Sequence, residues 1–186
     1  MTDITTTTTE VTTTTTDGSA DADYQAQVTF ASPPQAVFDA LTTTSGLTDW
    51  WTAATGDGTT GGELRFDFGQ MGLLVLHVDA AQPASLPKSG LVQWTCLEYP
   101  PLPDWPGTTI SFELSPRSDG GCDLSFRHRG LTPRLVCYQD CKSGWDHFLP
   151  SLRALVDAGA GNPWASSVDV ERRAARDQRP GATITG

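Results

Sequence analysis

The chain has 186 residues and a net charge of −10, from 12 Lys and Arg against 22 Asp and Glu. An acidic chain with scattered arginines lacks the basic footprint that nucleic acid or an anionic membrane surface needs. No apolar run approaches the roughly 20 residues that cross a bilayer, and no basic segment followed by an apolar run opens the chain, so the expected location is the cytoplasm.

Residues 1–23 are a low-complexity, threonine-rich head with almost nothing apolar to bury, and disorder is expected there. Tyr24, Ala26, Val28 and Phe30 alternate with polar residues, the period of a half-buried strand. Ser32 then stands as a helix cap before Pro33 and Pro34, and a helix is predicted from Pro34 to Leu41. A second short helix, Leu47 to Thr52, carries Trp50 and Trp51. The stretch 55–62, TGDGTTGG, contains GxGxxG as Gly56, Gly58 and Gly61. A dinucleotide fingerprint needs a strand before it and a helix after it, and this stretch has the reverse, so it reads as a loop.

Five strands follow by the period of two. They centre on Leu64–Phe66–Phe68, on the apolar run Leu73 to Val78, on Val92–Trp94–Cys96, on Ile110–Phe112–Leu114 and on Leu124–Phe126–His128. Ala80 to Gly90 and the proline-rich Glu98 to Gly107 read as loops. Ser118 to Gly121 reads as a hairpin turn. From Arg134 to Ala160, Cys137, Tyr138, Cys141, Trp145, Phe148, Leu149, Leu152, Leu155 and Val156 recur at spacings of three and four, the apolar face of a long helix. Pro150 predicts a kink or break within it, and Gly159 ends it. His147 falls on the opposite, solvent-facing side. Residues 161–186 form a polar tail with Arg172, Arg173, Arg176 and Arg179, expected to be disordered or a loose helix.

The expected fold is therefore α+β, a helix-grip domain over 24–160: a curved antiparallel sheet of about six strands wrapped around a long C-terminal helix, with two short helices after the first strand. The pieces SPPQAVFDAL, DWW, GGELRF, LVQWTC, LSFRHRGL and SGWDHFLPSLRALV, in this order and spacing, resemble the START-like (SRPBCC) superfamily. Within it the chain is similar to the branch of the activator of the heat-shock-protein ATPase. The resemblance implies an internal apolar cavity under the last helix. Many members of the superfamily bind lipids, hormones or aromatic polyketides, and some are cyclases.

Phase alone directs a set of large side chains inward. Trp50, Phe66, Phe68, Leu76, Trp94, Phe112, Phe126, His128, Tyr138 and Trp145 are the candidate ligand-binding residues, which either line a pocket or fill a core. His128 continues an apolar phase near a strand end. It is the candidate catalytic group, as a general base or a ligand-orienting donor, against the blander reading of a buried, hydrogen-bonded histidine. No GxSxG, HExxH or CxxC occurs. The four cysteines, Cys96, Cys122, Cys137 and Cys141, lie in apolar phases and read as reduced, buried thiols, so neither a metal nor a cofactor is expected. Three readings result: binding of an apolar or aromatic small molecule between sheet and C-terminal helix, a cyclase- or hydratase-like enzyme using His128, and a protein-partner module. The first ranks highest, and whether the chain is an enzyme stays undecided, leaning to no.

Overall fold

A computed structural model describes residues 21–85 and 87–178; most of the threonine-rich head and the last residues of the tail lie outside them. The chain runs β1 (Tyr24–Phe30), α1 (Pro34–Thr42), α2 (Thr44–Trp50), β2 (Ala53–Gly56), β3 (Glu63–Asp67), β4 (Leu73–Gln82), β5 (Gly90–Glu98), β6 (Thr109–Pro116), β7 (Cys122–Arg129), α3 (Tyr138–Ala158) and α4 (Ser167–Asp177). The sheet is antiparallel in the order β1-β7-β6-β5-β4-β3-β2. Register shifts between Val75 and Leu76 and between Val78 and Ala80 interrupt the β4–β5 ladder, and such irregularities bend a strand.

The helix-grip architecture is the expected one, with seven strands in place of about six. The strand that periodicity does not reveal is β2, whose sequence AATG is almost wholly exposed. An edge strand that buries no face has no alternation to show. It pairs with β3 from Ala53↔Asp67 to Gly56↔Leu64. Two glycines of the 55–62 stretch permit close backbone approaches, Gly56 to β3 and Gly58 to the end of α1. A Cβ on Gly56 would lie 2.1 Å from the Glu63 carbonyl oxygen, and one on Gly58 would lie 1.9 Å from that of Thr42.

Helix boundaries shift from the sequence expectation for local reasons. Pro33, not Ser32, is the N-cap of α1, and it supplies no side-chain bond. Ser32 is used elsewhere: its hydroxyl donates to the Val156 carbonyl and its amide to Asp157, at 3.1 and 3.0 Å, which ties the end of β1 to α3. α2 starts early because Thr43 caps it, accepting from the Gly46 amide at 3.1 Å. α3 is continuous through Pro150, so no break occurs there. It ends at Gly159, whose φ of 77° is the left-handed conformation glycine adopts freely.

The inner sheet face and α3 meet across aromatic rings. Trp51 stacks on Trp94 (5.9 Å, 7°) and touches Phe66 (4.4 Å) and Trp145 (5.3 Å). Phe112 packs on Trp94 (4.8 Å) and on Phe126 (5.1 Å), and Phe126 on Trp145 (4.6 Å). Burying each large ring stabilises the fold by roughly 1.5–3 kcal/mol, so this contiguous cluster is the main support of the grip. No helix among the described residues is long and apolar enough to cross a membrane, and the four cysteines are free thiols.

Candidate functional site: an aromatic cavity at the mouth of the grip

The middle of the grip is filled. Trp50, Phe66, Leu76, Trp94, Phe112 and Phe126 are almost wholly buried and pack into the core cluster. Trp50 spends its indole N–H on the Ala40 carbonyl at 3.0 Å. Open space lies instead at one end, as a cavity of about 370 Å³. Four segments build it. The β3–β4 turn brings Phe68 and Met71, and the proline-rich β5–β6 loop brings Tyr99, Leu102 and Trp105. α3 contributes Asp140, Cys141, Gly144, Trp145 and Phe148. Trp164 and the α4 residues Arg172, Arg173, Arg176 and Asp177 close the fourth side, while Trp51 lines the floor.

Two of the residues expected to line a cavity, Phe68 and Trp145, do so. Tyr138 and His128 do not. Tyr138 is buried at the first turn of α3. His128 sits one layer behind the wall, edge-on to Trp105 (4.8 Å) and to Trp145 (5.9 Å), both of which face the cavity.

The hydrogen bonds of His128 decide its chemistry. Trp145 Nε1 donates to His128 Nδ1 at 3.1 Å, so Nδ1 carries no proton. Nε2 then holds the ring hydrogen and donates to Thr108 Oγ1 at 3.0 Å. Burial drives the pKa down to about 3, against a weak upward pull from Asp23. The imidazole is therefore neutral, fully enclosed and committed at both nitrogens. It orients Trp145 and does not offer a base to the cavity. Among the buried polar partners, Thr108 is the one the sequence does not indicate, because it lies in the loop before β6 and carries no strand phase.

Several lining residues escape sequence reasoning for a common reason: they lie outside periodic segments. Tyr99, Leu102 and Trp105 belong to the proline loop. There, backbone bonds from Leu102 N to Tyr99 O, Trp105 N to Leu102 O and Thr108 N to Trp105 O wind successive tight turns. Four prolines, Pro100, Pro101, Pro103 and Pro106, preset the backbone of these turns. The one available signal was the presence of large aromatics in a loop. Trp164 is likewise a lone aromatic in a polar tail. Its amide donates to the Trp51 carbonyl at 2.7 Å, and its ring meets Phe68 edge-on at 5.3 Å.

The tail forms α4, and Asp169 anchors it. This carboxylate is fully buried and accepts from Arg172 Nη2 (2.7 Å), Arg173 Nε (2.9 Å) and the Ala165 amide (3.1 Å). Burial pushes its pKa up, but the bond from Arg172, the amide and the two guanidinium charges outweigh that and hold it below the usual carboxylate range. The arginines then span to α3: Arg172 Nη1 donates to Ser143 Oγ at 2.8 Å and Arg176 Nη1 to Asp140 Oδ1 at 2.9 Å. Arg173 lies over the Trp164 ring at 4.1 Å. The returning tail also covers His147, which is not solvent-facing as its helical phase predicts: its Nε2 is 2.9 Å from the Asn162 carbonyl oxygen. Burial lowers its pKa. Among the described residues no group of His, Cys, Asp or Glu is placed to hold a metal ion.

No curated protein matches the sequence significantly. Among solved structures, the chain is similar to the Aha1 dimer from Colwellia psychrerythraea, with 26% identity and a TM-score of 0.64 over 75% of this chain and 99% of that one. It is also similar to DynU16, a protein of the dynemicin biosynthetic locus, with 22% identity and a TM-score of 0.57 over 74% of this chain and 48% of that one. CalU16 from Micromonospora echinospora shares 17% identity with a TM-score of 0.54, over 82% of this chain and 81% of that one. The last two likenesses show the fold. The family profile described as Activator of Hsp90 ATPase homolog 1-like protein matches residues 31–157, more than half of the chain, and the protein belongs to that START-like family.

Proposed function

We propose that the protein binds an apolar or aromatic small molecule in the cavity at the mouth of the grip. The observation that carries this reading is the combination of size and lining. About 370 Å³ of space is walled by Trp51, Phe68, Tyr99, Trp105, Trp145, Phe148 and Trp164, within the range of small-molecule sites. Rings held in fixed orientation offer stacking and edge contacts to a ring-bearing guest. The fold supports the reading too, since ligand binding is what the START-like resemblance implies.

The test is native mass spectrometry of protein purified from its own source, paired with titration by the neutral fluorophore N-phenyl-1-naphthylamine. A retained small molecule or saturable one-to-one fluorophore binding is expected. A chain that carries no adduct and does not bind the fluorophore sinks the reading. Catalysis through His128 gains no support, because both ring nitrogens are engaged and the ring is sealed from the cavity. The likeness to the Aha1 dimer favours one second reading, self-association. Sedimentation equilibrium distinguishes the 19.9 kDa chain from a species of twice that mass.

A further inference from the structure

The roof of the cavity has a charge pattern that the apolar walls do not need. Arg172 and Arg173 both face the cavity and both bond one carboxylate, that of Asp169. Two cations on one anion make the Trp164 end locally positive. The third roof arginine, Arg176, faces two carboxylates, Asp140 and Asp177, at the other end, so the roof is neutral in sum but polarised along its length, positive toward Trp164 and negative away from it. Arg172 Nε is buried and has no hydrogen-bond partner among the described residues. Arg173 is stacked on Trp164, so its guanidinium is held against the aromatic wall. This roof lies beyond residues 31–157 that match the family, in a chain whose net charge is −10.

From this juxtaposition we infer that the ligand is an aromatic anion: one or more rings bearing a carboxylate, sulfonate or phenolate oxygen, with the rings among the tryptophans and the oxygen beneath Arg172 and Arg173. The inference rests on the binding reading above and adds the ligand's charge to it. A guanidinium fork in a partly desolvated wall favours an anionic oxygen over water more strongly than an exposed one does. Arg173 is the more informative of the pair to change. Its removal leaves Asp169 and Arg172 as a balanced ion pair, so no buried carboxylate is stranded.

The experiment compares two probes of similar shape, 8-anilinonaphthalene-1-sulfonate and its uncharged counterpart N-phenyl-1-naphthylamine, on the full chain. In Arg173→Met the sulfonate should bind about tenfold more weakly, ~1.4 kcal/mol, while the neutral probe changes less than twofold. Arg173→Lys should restore most of the sulfonate's affinity. Gly144→Leu, which fills the cavity, should weaken both probes. Equal weakening of both probes in Arg173→Met, or sulfonate binding that survives Gly144→Leu, overturns the inference and leaves the neutral-ligand reading intact. Failure of both probes to bind the unaltered protein removes the binding reading and this inference together.

Discussion

Gly144→Leu separates the cavity from the rest of the fold. Gly144 sits in the middle of α3 and lines the cavity. A Cβ there would meet only the Phe148 ring, at 3.9 and 4.0 Å, which is ordinary contact. The substitution therefore adds a side chain to open space without moving backbone. Replacing a mid-helix glycine by leucine gains roughly 0.7 kcal/mol from helix propensity. Burial of the new side chain against Cys141, Trp145 and Phe148 adds part of the roughly 1.5–3 kcal/mol of a fully buried leucine. The expected sum is a stabilisation of about 1–3 kcal/mol, or a rise of some 3–9 °C in melting temperature for a chain of this size. Ligand space shrinks at the same time, so N-phenyl-1-naphthylamine should bind at least about tenfold more weakly, a loss of ~1.4 kcal/mol. Urea denaturation and fluorophore titration on one preparation read both effects. A more stable variant with undiminished binding would show that this cavity is not the site. A less stable variant would show that the space beside Gly144 is not open.

The remaining predictions concern the supports of the site. His128 is neutral and buried with a depressed pKa near 3, so on acidification the unfolded chain takes up its proton first. Its contribution is intact above about pH 6.5 and is lost as pH falls from there toward 3, at up to ~1.4 kcal/mol per pH unit. Urea midpoints at pH 7, 6 and 5 should fall accordingly, with His147, also depressed, adding in the same direction; His128→Asn should flatten part of the slope. Asp169→Asn removes the charge that Arg172 and Arg173 share; because both guanidiniums are partly exposed and Arg172 keeps its bonds to Ser143, the cost is about 1–3 kcal/mol. Hydrogen exchange in residues 167–177 should accelerate at least tenfold while the β5–β7 amides keep their protection. Leu76→Trp adds bulk to the filled core and not to the cavity. It should lower stability by about 1–3 kcal/mol, as overpacking does, and change fluorophore affinity less than threefold in the fraction that stays folded.

Six of the seven strands, the three grip helices and the direction of their apolar faces were legible before any coordinates. Each buries one face, and a buried face leaves a period of two or of 3.6 in the residues. β2 left no such trace, being an exposed edge. The site was far less legible. Of the ten residues that phase sends inward as candidate ligand contacts, Phe68 and Trp145 reach the cavity, and both stand where the grip opens. The others point inward as well, but their neighbours also point inward, and rings such as Trp51, Trp94 and Phe112 consume the space between them. Periodicity reports which way a side chain points. It cannot report how much volume remains after its neighbours arrive.

By itself, the order of residues determined a curved antiparallel sheet gripping one amphipathic helix, because hydrophobic patterning is local and each element's burial is written in its own spacing. Only the folded chain decided where empty volume survives and what surrounds it. The proline loop, Trp164 and α4 come from aperiodic stretches far apart in sequence, and they become one site through contacts such as Trp164 to Trp51 and Arg172 to Ser143. A cavity is what packing leaves over, so it belongs to no single segment and has no pattern to be read.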